Sequence, residues 1–153
     1  MSQENVFNKL LDNGLTIAFA ESMTGGALTY ELVRFPNASK VVIGSIVAYH
    51  KQLKIDLLDV SEHTILKYSL VSKEVAYEMA LGIYKKTSAN ICIAITGNAG
   101  PSLEEGTKDS IAYYTILINK EPKHFYIKLN EDSREKNIFL AIEDIYKNLF
   151  KMI

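Results

Sequence analysis

Leu15-Thr16-Ile17-Ala18-Phe19-Ala20 runs directly into Glu21-Ser22-Met23-Thr24-Gly25-Gly26, after which Leu28, Leu32 and Val33 recur at helical spacing until Pro36. A short apolar run bounded by small residues reads as a buried strand, and apolar positions three and four apart read as one face of a helix. The stretch therefore predicts a strand, a tight turn and a helix in immediate succession. Alternation of that kind is how α/β domains are built.

Working outward, the same alternation continues on both sides. Val6, Leu10 and Leu11 have helical spacing, and Asn13-Gly14 is a stop signal. Val41 to Ala48 is apolar and β-branched and reads as a second buried strand, and Leu53, Leu57 and Leu58 predict a short helix after it. Ser61 and Ser72 have the character of N-caps, whose hydroxyls satisfy orphan backbone N–H groups. The second cap predicts a helix over Lys73 to Thr87 that buries Val75, Met79 and Ile83. Ile91 to Thr96 is a further apolar run, ending in Thr96-Gly97-Asn98-Ala99-Gly100-Pro101. A polar loop leads to about Asp109. Two extended stretches follow, Ile111 to Ile118 and His124 to Leu129, on either side of a turn at Asn119 to Pro122. Ser133 to Phe150 closes the chain as a helix with Ile138, Ala141, Ile142, Ile145 and Leu149 on one face. Strands alternating with helices, then a hairpin and a closing helix, imply an α/β domain with a mixed sheet. Without internal repeat or linker, residues 1–153 read as one domain.

Composition narrows the function classes. With 153 residues, 48% of them apolar and 23% charged, the chain has the length and make-up of a single folded domain. The 17 Lys and Arg against 18 Asp and Glu leave a charge of −1, without the basic excess of a nucleic-acid partner. Cys92 is the sole cysteine, which rules out an intrachain disulfide and a cysteine zinc site. No run reaches the length of a membrane span, and Met1 to Leu11 lacks the apolar core of a signal peptide, so a soluble cytoplasmic protein is expected.

Two turns of small residues, Glu21 to Gly26 and Thr96 to Pro101, follow apolar strands. Ligands of open α/β sheets bind in the crevice beyond the carboxyl ends of the strands. The first turn opens a helix, whose N–H groups and dipole favour an anion, and Gly25 and Gly26 permit close approach to the backbone. A purely structural tight turn fits the same residues, since the pattern is neither a Walker loop nor a dinucleotide fingerprint. Ser22 is the hydroxyl best placed to be a nucleophile, and a nucleophilic serine needs a base. His50, His63 and His124 each stand alone. Lysine serves only if its amine, with an ordinary pKa of about 10.4, is driven neutral by desolvation or nearby positive charge. Lys54 follows the second strand and Tyr49, and Lys51 competes with it. For any single lysine, a solvated helix face is the default reading. Arg134 stands near Asp132 and Glu135 and reads as part of a solvated charge cluster.

Taken together the motifs are familiar. Ala20-Glu21-Ser22-Met23-Thr24-Gly25-Gly26 closely resembles the Ala-Glu-Ser-Cys-Thr-Gly-Gly signature of the CinA carboxyl-terminal domain family, bacterial nicotinamide mononucleotide (NMN) deamidases. The resemblance continues through Gly44, Tyr49 and Lys54, through Val71-Ser72 and Glu74-Val75, and through Ile95 to Pro101 to Arg134. It implies a three-layer α/β/α fold with a mixed, mostly parallel sheet and a closing C-terminal helix. It also implies hydrolysis of NMN to nicotinic acid mononucleotide and ammonia, in pyridine nucleotide salvage, by a serine–lysine mechanism without metal or cofactor. Position by position, Ser22 matches the nucleophile and Lys54 the base. Tyr49, Thr96 and Arg134 match residues that support catalysis or hold substrate. On this basis backbone donors at Thr24, Gly25 and Gly26 are expected to stabilise the oxyanion, and Arg134 or the turn carrying Thr96, Gly97 and Gly100 to hold the ribose phosphate. The family implies a stand-alone form without the larger amino-terminal domain, a small nucleotide as partner, and a homo-oligomer.

The chain departs from the family pattern in four places. Met23 replaces a cysteine, Asn98 replaces an apolar residue, and Ser102 to Ile111 replaces a glycine-rich stretch, with Lys108 alone standing for the family lysine. Asp132-Ser133-Arg134 keeps only the arginine of Gly-Asp-Arg. The altered loop motivates two alternatives: a divergent member that binds a nucleotide or protein partner linked to competence and DNA damage, or an amidase for another small substrate.

Overall fold

In the computed structural model, which describes residues 2–103 and 109–153, β1 (Ile17–Glu21) is buried at all five positions. Its side chains alternate between two separate cores. Ile17 and Phe19 face one, with Ile91, Ile93 and Ile95 of β3 (Ile91–Asn98); Ala18 and Ala20 face the other, with Cys92 and Ala94. The first core is covered by α1 (Gln3–Asp12), α2 (Ala27–Val33) and α6 (Arg134–Met152). The second is covered by α3 (Lys51–Leu58), α4 (Glu62–Tyr68) and α5 (Lys73–Thr87). Large isoleucine and phenylalanine side chains fill one face of the central strands, and small ones on the other admit Met79 and Ile83 of α5. This is the expected three-layer α/β/α arrangement.

The sheet has the order β2-β1-β3-β4-β5. β1 pairs in parallel with β2 (Val42–Val47) and with β3, while β4 (Ile111–Ile118) is antiparallel to β3 and to β5 (Glu121–Lys128). The parallel part is thus the three-strand core, and the hairpin extends it. Asn119 and Lys120 both have positive φ, 49° and 72°, which makes a two-residue turn of the hand that suits a twisted hairpin. Glu121 and Pro122 therefore begin β5 rather than belonging to the turn; Pro122 is tolerated because β5 is an edge strand.

β2 corrects an expectation. It is not buried: it forms the other edge, and Ile43 and Val47 are 50% and 42% exposed. β-branched apolar composition reports a fit to pleated backbone, and whether both faces and both edges are covered is settled by neighbours. Ser72 caps α5 as expected, its Oγ accepting from Val75 N–H at 3.2 Å, whereas Ser61 precedes α4 without a side-chain cap bond. Lys108 lies outside the described residues. Among the described residues, no helix is long and apolar enough to cross a membrane.

α1 and α6 lie side by side and run in the same direction. Gln3 Nε2 donates to Glu143 Oε1 at 2.6 Å, and Lys9 Nζ to the Phe150 carbonyl at 3.4 Å. On the opposite layer, Gly82 of α5 faces the end of α3, and a Cβ there would lie 2.1 Å from the Leu58 carbonyl oxygen. A glycine in a helix interior costs about 1 kcal/mol relative to alanine. Here it permits backbone-to-backbone packing and so sets how deeply α3 sits.

Gly82→Ala is accordingly expected to lower stability by about 1–3 kcal/mol despite the better helix former, because a clash with backbone has no flexible group to yield. Urea denaturation measures this, and a stabilised variant would show that α3 does not rest on α5 at this point. Cys92 supplies a second check: burial pushes its thiol up to about 11. At pH 8 a thiol reagent should label it only after unfolding, when the ordinary thiol pKa returns.

Candidate active site

β1 ends in a buried carboxylate. Glu21 Oε1 accepts from Thr24 Oγ1 at 2.6 Å and from the N–H groups of Gly26 and Leu28 at 3.0 Å each. Oε2 accepts from Thr29 N–H at 2.9 Å, from Thr29 Oγ1, and from Ser45 Oγ at 3.4 Å. Between strand and helix the chain turns through Gly25 and Gly26, with φ of +59° and +104°, and Gly25 N–H donates to the Ser22 carbonyl at 3.1 Å. The helix start was expected to seat the anion of a ligand; in the structure the Glu21 side chain occupies those donors instead. Thr24, Gly25 and Gly26 are turned to Glu21 and to the turn itself, and none of them lines the cavity described below.

Ser22, next in the chain, is buried and meets Lys54. Lys54 Nζ donates to Ser22 Oγ at 2.9 Å, to the Ala48 carbonyl at 2.9 Å and to the Tyr49 carbonyl at 3.1 Å. The amine is only 2% exposed as part of its residue, whereas Leu53 and Leu57 on the same helix are 40% and 39% exposed. The default reading of a solvated lysine is therefore overturned, and the leucine pattern of α3 does not mark its inward face. Lys54 and Leu58, four apart, do. The Lys54 side chain folds back over the turn that joins β2 to α3, where His50 Nδ1 accepts from Gln52 N–H at 3.2 Å and caps the helix. Lys51 is not on the cavity wall.

The end of β3 forms the facing wall. Thr96 Oγ1 donates to the Leu70 carbonyl at 2.9 Å, and Asn98 Oδ1 accepts from Gly100 N–H at 3.0 Å. Gly97 has no room for a side chain: a Cβ would lie 2.4 Å from Met23 Sδ and 2.8 Å from the Ile111 carbonyl oxygen. Arg134, the first residue of α6, reaches across the mouth. Its Nη1 donates to the Gly100 carbonyl at 2.8 Å and its Nη2 to Tyr49 Oη at 2.8 Å. The charge-cluster reading of Arg134 is corrected too: Asp132 pairs with Lys136 at 3.0 Å, and among the described residues no carboxylate forms an ion pair with the Arg134 guanidinium.

These walls enclose a cavity of about 300 Å³, at the small end of the range for small-molecule sites. Of the residues singled out from sequence, Ser22, Tyr49, Lys54, Thr96, Gly97 and Arg134 line it. Gly100 stands behind the wall and contributes its carbonyl to Arg134. Met23, Leu70 and Val71 add an apolar side that sequence reasoning did not assign to the site. Leu70 and Val71 come from the short connection before α5; Val71 belongs to the Val71-Ser72 stretch of the resemblance, without a role assigned to it, and Leu70 lies outside every motif. Asn98 was visible only as a polar residue in an apolar position. One side of the cavity thus holds a hydroxyl against an amine, and its mouth holds a cation with neutral partners.

A family profile described as the CinA C-terminal domain matches residues 1–153. A CinA-like protein of Thermotoga neapolitana is 39% identical over 152 residues, which cover 96% of this chain and 37% of that protein. The chain spans a little over a third of that relative's length. A homologue of protein MG115 from Mycoplasma pneumoniae is 35% identical over 144 residues, with 94% of this chain and 92% of that protein covered. Among solved structures, a competence-damaged protein (CinA) superfamily member from Escherichia coli superposes with a TM-score of 0.93 at 29% identity, covering 99% of this chain and 88% of that one. A competence damage-inducible protein A (ComA) from Klebsiella pneumoniae gives 0.92 at 26% identity, over 96% and 91%.

The guanidinium at the mouth predicts anion binding. Inorganic phosphate is expected to raise the thermal midpoint of unfolding, since a ligand of the native state stabilises it. Arg134→Gln should lose most of that rise; a rise kept in full would place the anion elsewhere.

Proposed function

Because this chain belongs to the CinA C-terminal domain family, we propose that it hydrolyses the carboxamide of NMN to nicotinic acid mononucleotide and ammonia, with Ser22 as nucleophile and Lys54 as its base. The observation that carries this reading is the 2.9 Å separation of Lys54 Nζ and Ser22 Oγ inside the cavity. A neutral amine has two N–H groups and one lone pair. In the neutral form that a base requires, the carbonyls of Ala48 and Tyr49 accept N–H groups of the amine and its lone pair would take the Ser22 proton. The cationic pyridinium of the substrate would favour the neutral amine when it is bound beside Lys54.

In the first half-reaction Ser22 Oγ adds to the carboxamide carbon as its proton passes to Lys54 Nζ. With the amides of Gly25 and Gly26 engaged inside the turn, the new ammonium and the substrate's own pyridinium are the positive charges that offset the oxyanion. The C–N bond then breaks, Lys54 returns the proton to the departing nitrogen, and ammonia leaves an acyl ester on Ser22. In the second half-reaction a water gives its proton to Lys54, its oxygen adds to the ester carbon, and Ser22 departs with that proton. The apolar side at Met23, Leu70 and Val71 suits the pyridinium ring. Arg134, oriented by Tyr49 and Gly100, suits the ribose phosphate, for which a planar guanidinium is well matched. No metal enters this scheme.

Ammonia release from NMN tests the reading directly. Release should persist in a chelator, vanish in Ser22→Ala, and fall in kcat by about 10²–10⁴ in Lys54→Met, the usual contribution of a general acid–base. Undiminished turnover in Lys54→Met would remove the lysine from the mechanism. No release, with NMN but not nicotinamide still raising the thermal midpoint, would favour a nucleotide-binding role.

A further inference from the structure

We propose that Glu21 is the positioning residue of this site, aligning Ser22 Oγ with Lys54 Nζ from both sides at once. The inference rests on the reading of Ser22 as nucleophile. Its basis is one residue with two sets of bonds.

The side chain organises the serine's turn. The cap position of α2 is Gly26, which has no side chain to satisfy the first N–H groups of the helix. Glu21, five residues earlier, does that work through Gly26, Leu28 and Thr29. Hydroxyls from Thr24 and Thr29 complete the grip on turn and helix, and Ser45 Oγ joins it from β2. All six donors are neutral and the residue is fully buried, so the carboxylate is held by geometry alone. Ser22 is the first residue of the loop closed in this way.

The main chain organises the lysine. The Glu21 carbonyl accepts from Ala48 N–H at 2.8 Å, and the Ala48 carbonyl accepts from Lys54 Nζ. A path of two hydrogen bonds thus runs from the backbone of Glu21 to the amine, while its side chain fixes the hydroxyl next door. Glu21 touches neither reacting atom in this arrangement. It sets their separation.

Glu21→Gln keeps the shape and turns one oxygen into a donor, which faces N–H and O–H groups that need an acceptor. The purified full chain is compared with the variant in two assays: steady-state kinetics on NMN, and labelling of Ser22 by a fluorophosphonate, which needs no NMN. A misplacement of about 1 Å costs on the order of 10²-fold, and kcat and the labelling rate should fall together by about that factor while KM stays within roughly two-fold. Retention of both rates would overturn the proposal, and so would a raised KM with kcat kept, because Glu21 would then act on substrate. If Glu21→Gln does not fold, Thr29→Val removes one hydroxyl donor and is expected to slow labelling on the order of five-fold, the worth of a single hydrogen bond; an unchanged rate there overturns the proposal. Should the wild type label at Ser22 yet release no ammonia from NMN, the substrate reading falls, and the labelling ratio still decides the role of Glu21.

Discussion

A primary amine can be enclosed in a protein only where acceptors stand ready for its N–H groups, because an unsatisfied polar group in the interior costs more than a made bond returns. Two main-chain carbonyls meet that requirement for Lys54, and the Ser22 hydroxyl stands at 2.9 Å as a further partner. The carbonyls are free to accept because β2 stops at Val47 and the chain turns away from the ladder before α3 begins. The helix reaches the necessary depth because Gly82 lets its last turn rest on the backbone of α5. The position of one amine thus depends on a strand end and the turn that follows it, and on a helix crossing supplied by the distant Gly82.

The cavity lies where the two outer layers meet. Its amine comes from the layer of α3, α4 and α5, and its guanidinium from α6 on the opposite layer. The serine sits between them at the end of a central strand. Water can be excluded from the chemical end, where Ser22 and Lys54 are buried, while the Arg134–Tyr49 contact is open at the mouth.

Much of this was readable from the residues. Helix α5 and the closing helix carried strong apolar periodicity, and Ser72 and Ser133 marked their starts. Ser22 followed from its turn, and the company of Tyr49, Lys54, Thr96 and Arg134 from the resemblance. What periodicity could not supply was the environment of polar groups. In α3 the leucines drew the eye while the buried positions were Lys54 and Leu58. At the first turn, the helix start suggested a seat for a ligand's anion, and the residue that fills it was in the motif itself, as Glu21. Arg134 looked paired with its neighbours in sequence, and its partners proved to be Gly100 and Tyr49, brought from other elements. In each case a long-range hydrogen bond outweighed a local pattern.

The parallel packing of α1 against α6 has a consequence for how such a domain can be carried. α6 begins at the cavity mouth with Arg134 and runs away from it for 19 residues, roughly 27 Å at the rise of an α-helix. Anything joined beyond Ile153 would therefore hang from the far end of the molecule, on the layer that holds α1. Fusion at that point, whether to a solid support or to another folded unit, leaves the path to Ser22 open.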